Sequence, residues 1–177
     1  MSYSGSQRRD DRGGRNDPPP SITPVQLEMI ISGDGDEAVK MLVDTAQHVG
    51  DWLKKMDFST SQIRNVFGVV REIEQRIESL DSQDRSEVDS QQQTEGQPQP
   101  LPNAAYRDLM LLKPKLAYQY GRAGSEGKKN AKDAMGLLQR LLSDSIDLVG
   151  RDRDRFTHFV EFFEAILAYH RYYGGKS

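Results

Sequence analysis

Six apolar residues, Ile63, Val66, Val70, Ile73, Ile77 and Leu80, follow one another at spacings of three, four, three, four and three. An α-helix turns about 100° per residue, so these positions line up as one stripe along one face. The segment opening at Ser59-Thr60 therefore reads as a helix with a core-facing side, with Phe67 beside the stripe. A coiled-coil seam has the same spacing, but so few heptad turns do not favour it. A chain with this much apolar surface on one helical face needs other helices to cover it.

The same period recurs along the chain. Thr23-Pro24 reads as an N-cap followed by proline at the first helical position, opening a short helix that stops near Ser32-Gly33. Asp36 reads as the cap of a longer helix reaching about Met56, with Val39, Leu42, Val43, Ala46, Val49, Trp52, Leu53 and Met56 at helical spacing. Asn103 is expected to cap a helix through roughly Gly121, kinked or broken at Pro114, before a Gly-rich turn over Gly121–Gly127. A helix over about Asn130–Val149 follows, stopped by Gly150. The last helix opens at Asp152 or Asp154 and ends at Tyr173, before Gly174-Gly175. Phe156, Phe159, Val160, Phe162, Phe163, Ile166, Leu167, Tyr169, Tyr172 and Tyr173 make it apolar around much of its circumference. Such a helix is central in a bundle or buried by a neighbouring subunit. No strand pattern competes. The expected fold class is all-α, a single bundle of five to six helices.

Two stretches are expected to stay outside that core. Residues 1–22 form an Arg/Gly/Pro leader closed by three prolines and read as disordered. Residues 81–102 carry five acids, one base, six glutamines and three prolines, and read as a flexible, acidic Gln/Pro-rich linker. The domain then spans residues 23–175, interrupted by that linker. Outside residues 1–20 and 81–102, acids and bases balance, so the net charge of −3 mainly describes the linker. With 177 residues, 36% of them apolar, the chain can bury one core. It has no cysteine, which removes disulfides, thiolate metal sites and cysteine nucleophiles and suits a reducing compartment. No signal-peptide pattern and no apolar run of the ~20 residues a membrane span needs is present. A cytoplasmic protein with no membrane contact is expected.

Catalytic signatures are missing. His48, His158 and His170 include no pair four apart, and His158 with Glu161 supplies only half of a di-metal carboxylate motif. No phosphate-binding glycine loop or nucleophile elbow occurs. Gly33-Asp34-Gly35-Asp36 resembles a piece of a calcium loop without the remaining ligands, and reads better as a turn. The alternation at Arg151–Arg155 reads as charge pairing on a solvated face or as contact with an acidic partner. No cofactor or metal is expected.

Positive charge is concentrated instead. Asn103–Lys132 holds seven bases, Arg107, Lys113, Lys115, Arg122, Lys128, Lys129 and Lys132, against Asp108 and Glu126, with Tyr106, Tyr118 and Tyr120 among them. Cations that reach phosphates, beside rings that stack on bases, are a common way to hold single-stranded nucleic acid; a solvated basic face is the plainer reading. On the helix opening at Ser59, Arg64, Gly68, Arg71 and Gln75 form a second stripe, with the arginines about 10 Å apart along the axis. That can bridge phosphates, with Gly68 admitting a backbone. Alternatively it is two surface arginines and a helix–helix contact at Gly68. Lys54 and Lys55 close the preceding helix, where they also complement its dipole. Tyr118 can stack on a base or belong to the core.

Three stretches then carry a resemblance: STSQIR at Ser59–Arg64, LKPKLAYQYGR at Leu112–Arg122 and FVEFFEAILAYHRYYGG at Phe159–Gly175. Together they resemble the small helical subunit of type III-A CRISPR–Cas (Csm) effector complexes, over most of residues 23–80 and 103–175. The resemblance implies an all-helical, non-catalytic subunit of antiviral defence. Several copies would stack beside the backbone subunits and contact guide and target RNA without reading sequence. RNA cutting would belong to the backbone subunit, and DNA cutting and cyclic oligoadenylate synthesis to the large one. It implies RNA contact by Arg64, Lys113, Lys115 and Arg122, to which the charge reading adds Arg71, Lys54 and Lys55. The partners implied are CRISPR guide RNA, target RNA, the other effector subunits and copies of itself. The acidic linker and the Arg/Gly leader depart from the family pattern, and the linker should loop away from RNA. A protein–protein adaptor without RNA contact, a helical-bundle enzyme and a duplex-DNA repressor remain as competing readings.

Overall fold

The computed structural model describes residues 17–87, 100–125 and 129–174. Six helices account for most of them: α1 Pro24–Ser32, α2 Asp36–Lys55, α3 Thr60–Glu87, α4 Asn103–Ser125, α5 Lys129–Val149 and α6 Arg153–Tyr172. The all-α bundle expected from periodicity is the fold. Helix starts follow from local chemistry. Thr23 and Gln26 cap one another: the Thr23 hydroxyl accepts from the Gln26 amide at 3.2 Å, and the Gln26 side-chain carbonyl oxygen accepts from the Thr23 amide at 2.9 Å. Ser59 and Gln62 repeat the device at the start of α3, at 3.3 Å each way. Asp152 caps α6 by accepting from Asp154 and Arg155.

Two caps differ from expectation. The N-cap of α2 is Gly35, at φ 87°, and Asp36 is the first helical residue, where with Glu37 it complements the dipole. Asn103 does not cap α4. Its side-chain oxygen accepts from Arg151 at 2.8 Å, and the first helical bond ends on the Pro102 carbonyl. Nor does Pro114 break α4, which runs on to Ser125. Pro114 is exposed. The carbonyl one turn earlier that it deprives of a donor is that of Met110.

The helix α6 is central. It packs against α1, α2, α3 and α5, while α4 lies against α3 and α5. Phe156, Phe159, Phe162, Phe163 and Ile166 are all buried, and Phe163 meets Phe67 of α3 edge-on at 5.6 Å. Each such side chain contributes about 2–3 kcal/mol. Of the α3 stripe, Ile63, Val66, Val70, Ile73 and Ile77 are buried, and Leu80 is half-buried at its end.

Between α2 and α6 the two helices approach to backbone distance. A Cβ added at Gly50 would lie 2.7 Å from both the His170 amide nitrogen and the Tyr169 Cβ. Glycine is needed here because backbone meets backbone. His170 is completely buried at this crossing, and its Nε2 lies 2.8 Å from the Phe58 carbonyl. A carbonyl only accepts, so Nε2 carries the proton. The contact ties α6 to the α2–α3 turn. That turn is closed by Asp57 at φ 55°, with Phe58 N–H donating to Leu53 O and Asp57 N–H to Lys54 O, a Schellman arrangement with Asp in the glycine position.

The boundaries of the two polar stretches also differ from expectation. Residues 1–16 and 88–99 lie outside the described residues. Residues 17–22 are held against the bundle: the Trp52 indole donates to the Asp17 carbonyl at 3.0 Å, and Ile22 packs on the core. A buried indole needs an acceptor, and a proline run gives up little entropy when it lies along a surface. At the linker, α3 continues to Glu87, because no Gly or Pro intervenes to stop it. At the other end Leu101 is buried and its amide donates to Arg151 O at 2.7 Å.

Gly50→Ala should lower stability by about 1–3 kcal/mol in urea unfolding, because the crossing has to open. Burial holds the His170 pKa below the ordinary histidine value of 6.5, and its bond to the Phe58 carbonyl only partly offsets this. The unfolded chain then takes up the proton before the folded one. Stability from this group is therefore full above about pH 6.5 and is lost as pH falls through the folded pKa. Unfolding curves of His170→Gln, which keeps an N–H for Phe58 but does not titrate, should lose this part of the acid slope.

Candidate nucleic-acid interface

The bundle sorts the basic residues of α4 by direction. Ala105, Leu109, Leu112, Leu116 and Ala123 face the core. Arg107, Leu111, Lys115, Tyr118 and Arg122, spaced by four, four, three and four, fall within about 80° on the opposite side, and all are exposed. The row extends about 22 Å along the axis. It contains three cations, no carboxylate and an aromatic ring that is 71% exposed. Arg107 and Lys115 have no ion-pair partner among the described residues.

The flanks of α4 hold it in place. Lys113 donates to both carboxylate oxygens of Asp147 on α5, at 2.6 and 2.8 Å. Asp108 pairs with Arg76 of α3 at 2.8 Å. Tyr120 packs over Gly136 of α5, where a Cβ would sit 3.1 Å from the ring, and Lys132 lies 5.7 Å from the ring centre. Tyr106 lies beneath the Arg151 guanidinium at 4.2 Å. Two of the three tyrosines therefore secure α4 to its neighbours. Tyr118 makes no ring contact or hydrogen bond among the described residues.

The seven expected RNA-contacting cations lie on three helices and differ in what they touch. Arg64 on α3 is exposed and has no partner among the described residues. Arg71, seven residues on, is engaged by Glu74 and by Glu164 of α6, and its guanidinium sits 5.1 Å from the Phe67 ring centre. The bond to Glu74 and the charges of both carboxylates raise its pKa. Gly68 between them is open: an added Cβ would meet nothing within 4 Å, so no helix packs there among the described residues. Lys54 is exposed and has no partner among the described residues. Lys55 pairs with Asp51 at 2.9 Å and with Asp17 at 3.6 Å, and the hydrogen bond to Asp51 chiefly raises its pKa. Lys113 is held by Asp147, whereas Lys115 and Arg122 lie in the outward row. That row also takes in Arg107 and Leu111, which the sequence reading leaves out of the RNA-contacting set. Their signal is the same 3–4 spacing, on the solvent face instead of the core face.

Among the described residues no group of three or more His, Cys, Asp or Glu could hold a metal ion, and no described helix is long and apolar enough to cross a membrane. His158 Nδ1 lies 3.1 Å from Ile31 O, bridging α6 and α1. A cleft of about 630 Å³ opens between residues 19–24, α1 and α5, lined by Leu27, Leu137, Leu141 and Leu148 with Arg140 and Asp144.

A family model described as Csm2 Type III-A matches residues 36–176. The chain belongs to the Csm2 family of type III-A. No curated protein and no solved structure matches it significantly. Membership makes it a small subunit of the type III-A Csm complex, assembling with the other subunits of that CRISPR–Cas effector. All seven expected cations lie inside the matched residues. The strap at residues 17–22 and α1 precede the matched residues.

The division of α4 into holding and outward cations is measurable without RNA. Lys113→Ala should cost about 0.5–1 kcal/mol in thermal unfolding through loss of the Asp147 pair. Lys115→Ala should stay within about 0.5 kcal/mol of the parent chain.

Proposed function

We propose that this Csm2-family chain is a non-catalytic, cytoplasmic subunit that stacks in several copies within the effector. There it contacts the phosphate backbone of target RNA and guide duplex without reading sequence. The observation that carries this reading is the outward row of α4, where Arg107, Lys115 and Arg122 lie on one face without an acid among them. Cations on a helix can hold phosphates by charge and position, and this suffices where base pairing does the reading. Arg64 on α3, exposed and without an ion-pair partner among the described residues, belongs to the same surface chemistry. Lys54 is of the same kind at the end of α2. Lys55, Arg71 and Lys113 have carboxylate partners, so their part in RNA contact is secondary. Cutting of RNA and DNA is assigned to other subunits.

A protein-binding adaptor is favoured by one observation: Tyr172 at the end of α6 is 79% exposed. An adaptor would dock through aromatic residues of α6, but Phe162 is fully buried. The Tyr173 hydroxyl accepts from Gln47 at 2.8 Å within the chain. Tyr172 alone of these three is left to test that reading.

An effector reconstituted with the triple variant Arg64→Ala, Lys115→Ala, Arg122→Ala should assemble but bind target RNA more weakly. The slope of log affinity against log salt should flatten by about one unit for each phosphate no longer neutralised. Affinity equal to the parent complex at every salt concentration would sink the assignment of these residues. An assembly defect from Tyr172→Ala with unchanged RNA affinity would favour the adaptor.

A further inference from the structure

We infer that Tyr118 is a stacking platform for an unpaired nucleobase, so that the α4 surface prefers single-stranded RNA, or RNA with an unstacked base, over a fully paired duplex. This deepens the backbone-contact reading and rests on it. Three observations point the same way. Tyr118 is 71% exposed within a cationic row, with Lys115 one turn before it and Arg122 one turn after. Those two residues are about 10 Å apart along the axis, which places cations on either side of the ring. The other tyrosines of the basic segment have structural duties, Tyr120 against Gly136 and Tyr106 beneath Arg151, while Tyr118 has none among the described residues.

Every base has a π-face, so a ring between phosphate-binding cations holds RNA without reading its sequence. The same ring gains nothing from a continuous duplex, whose base faces are already stacked. Backbone contacts alone do not distinguish the two forms in this way. Leu111, 45% exposed two positions back in the row, extends the apolar strip against which a ribose or base edge can lie.

The test uses the full chain at about 50 mM salt, where phosphate contacts are strongest. Fluorescence anisotropy is read with three probes: a labelled single-stranded RNA, the same strand carrying abasic riboses, and its blunt duplex. Tyr118→Ala should weaken binding to the single strand on the order of tenfold or more, and leave the duplex within about twofold. Its salt slope should match the parent's. Tyr118→Trp should restore single-strand affinity. The abasic strand should bind the parent chain about as weakly as the intact strand binds Tyr118→Ala. Lys115→Ala should instead flatten the salt slope for every probe.

If Tyr118→Ala binds the single strand like the parent, or weakens for single strand and duplex equally, stacking is overturned while RNA contact stands. If neither form binds and no variant changes anything, this inference is overturned, and the triple variant in the reconstituted effector decides the RNA-contact reading separately. The circular dichroism of each variant should match the parent's, because Tyr118 supports no packing.

Discussion

The bundle depends on two backbones coming close enough that no side chain fits between them. At the crossing of α2 and α6, Gly50 lies against the main chain of Tyr169 and His170. That proximity buries the His170 imidazole, and the imidazole in turn holds the carbonyl of Phe58. One contact thus fixes two helices and the turn that launches α3. The aromatic face of α6 can then meet α1, α3 and α5 at once. A larger residue at position 50 would move α6 outward and loosen the layers that rest on it.

The outward cationic face of the bundle follows from how α4 is mounted. It is not gripped along its length by α6. It is held from both flanks, by Asp147 and Gly136 of α5 and by Arg76 of α3. Using polar and aromatic contacts on the flanks leaves one face of α4 exposed to solvent. Local charge within the basic segment is therefore of two kinds. Lys113, Asp108, Tyr106, Tyr120 and Lys132 keep the helix in place, and Arg107, Lys115, Tyr118 and Arg122 project from it. The family match says which assembly the chain belongs to, and the geometry says which residues of α4 reach outward.

The core is legible wherever a single helix carries its own periodicity. The α3 stripe and the aromatic run of α6 are buried as their spacing requires, and the centrality of α6 follows from its apolar circumference. What stays hidden in the sequence depends on a second segment. The burial of His170 is one such case, because nothing near it in sequence announces Gly50 or Phe58. Lys113 and Lys115 look alike until Asp147 is placed beside one of them. Lys55 and Arg71 have one carboxylate within a turn, Asp51 and Glu74, and only their second partners, Asp17 and Glu164, are remote in sequence. The strap at residues 17–22 reads as part of a polar leader, because a proline run carries no sign of the indole that binds the carbonyl oxygen before it. Nor does charge alone separate Tyr118 from Tyr120. The solvent-facing period of α4 does separate them, and it is as regular as the core-facing one.

Lys113 and Lys115 stand on either side of Pro114, and this has a consequence for how such a chain can diverge. Two steps along a helix are more than half a turn, which is why one lysine reaches α5 and the other reaches solvent. Deleting or inserting one residue upstream of them would rotate the remainder of α4 by about 100°. The anchoring lysine would leave Asp147 and the outward row would turn into a flank. Substitutions in α4 can be exchanged one at a time over evolutionary history, but its length between Leu101 and Lys113 cannot. Lineages carrying this surface should vary in the letters of α4 and not in their number.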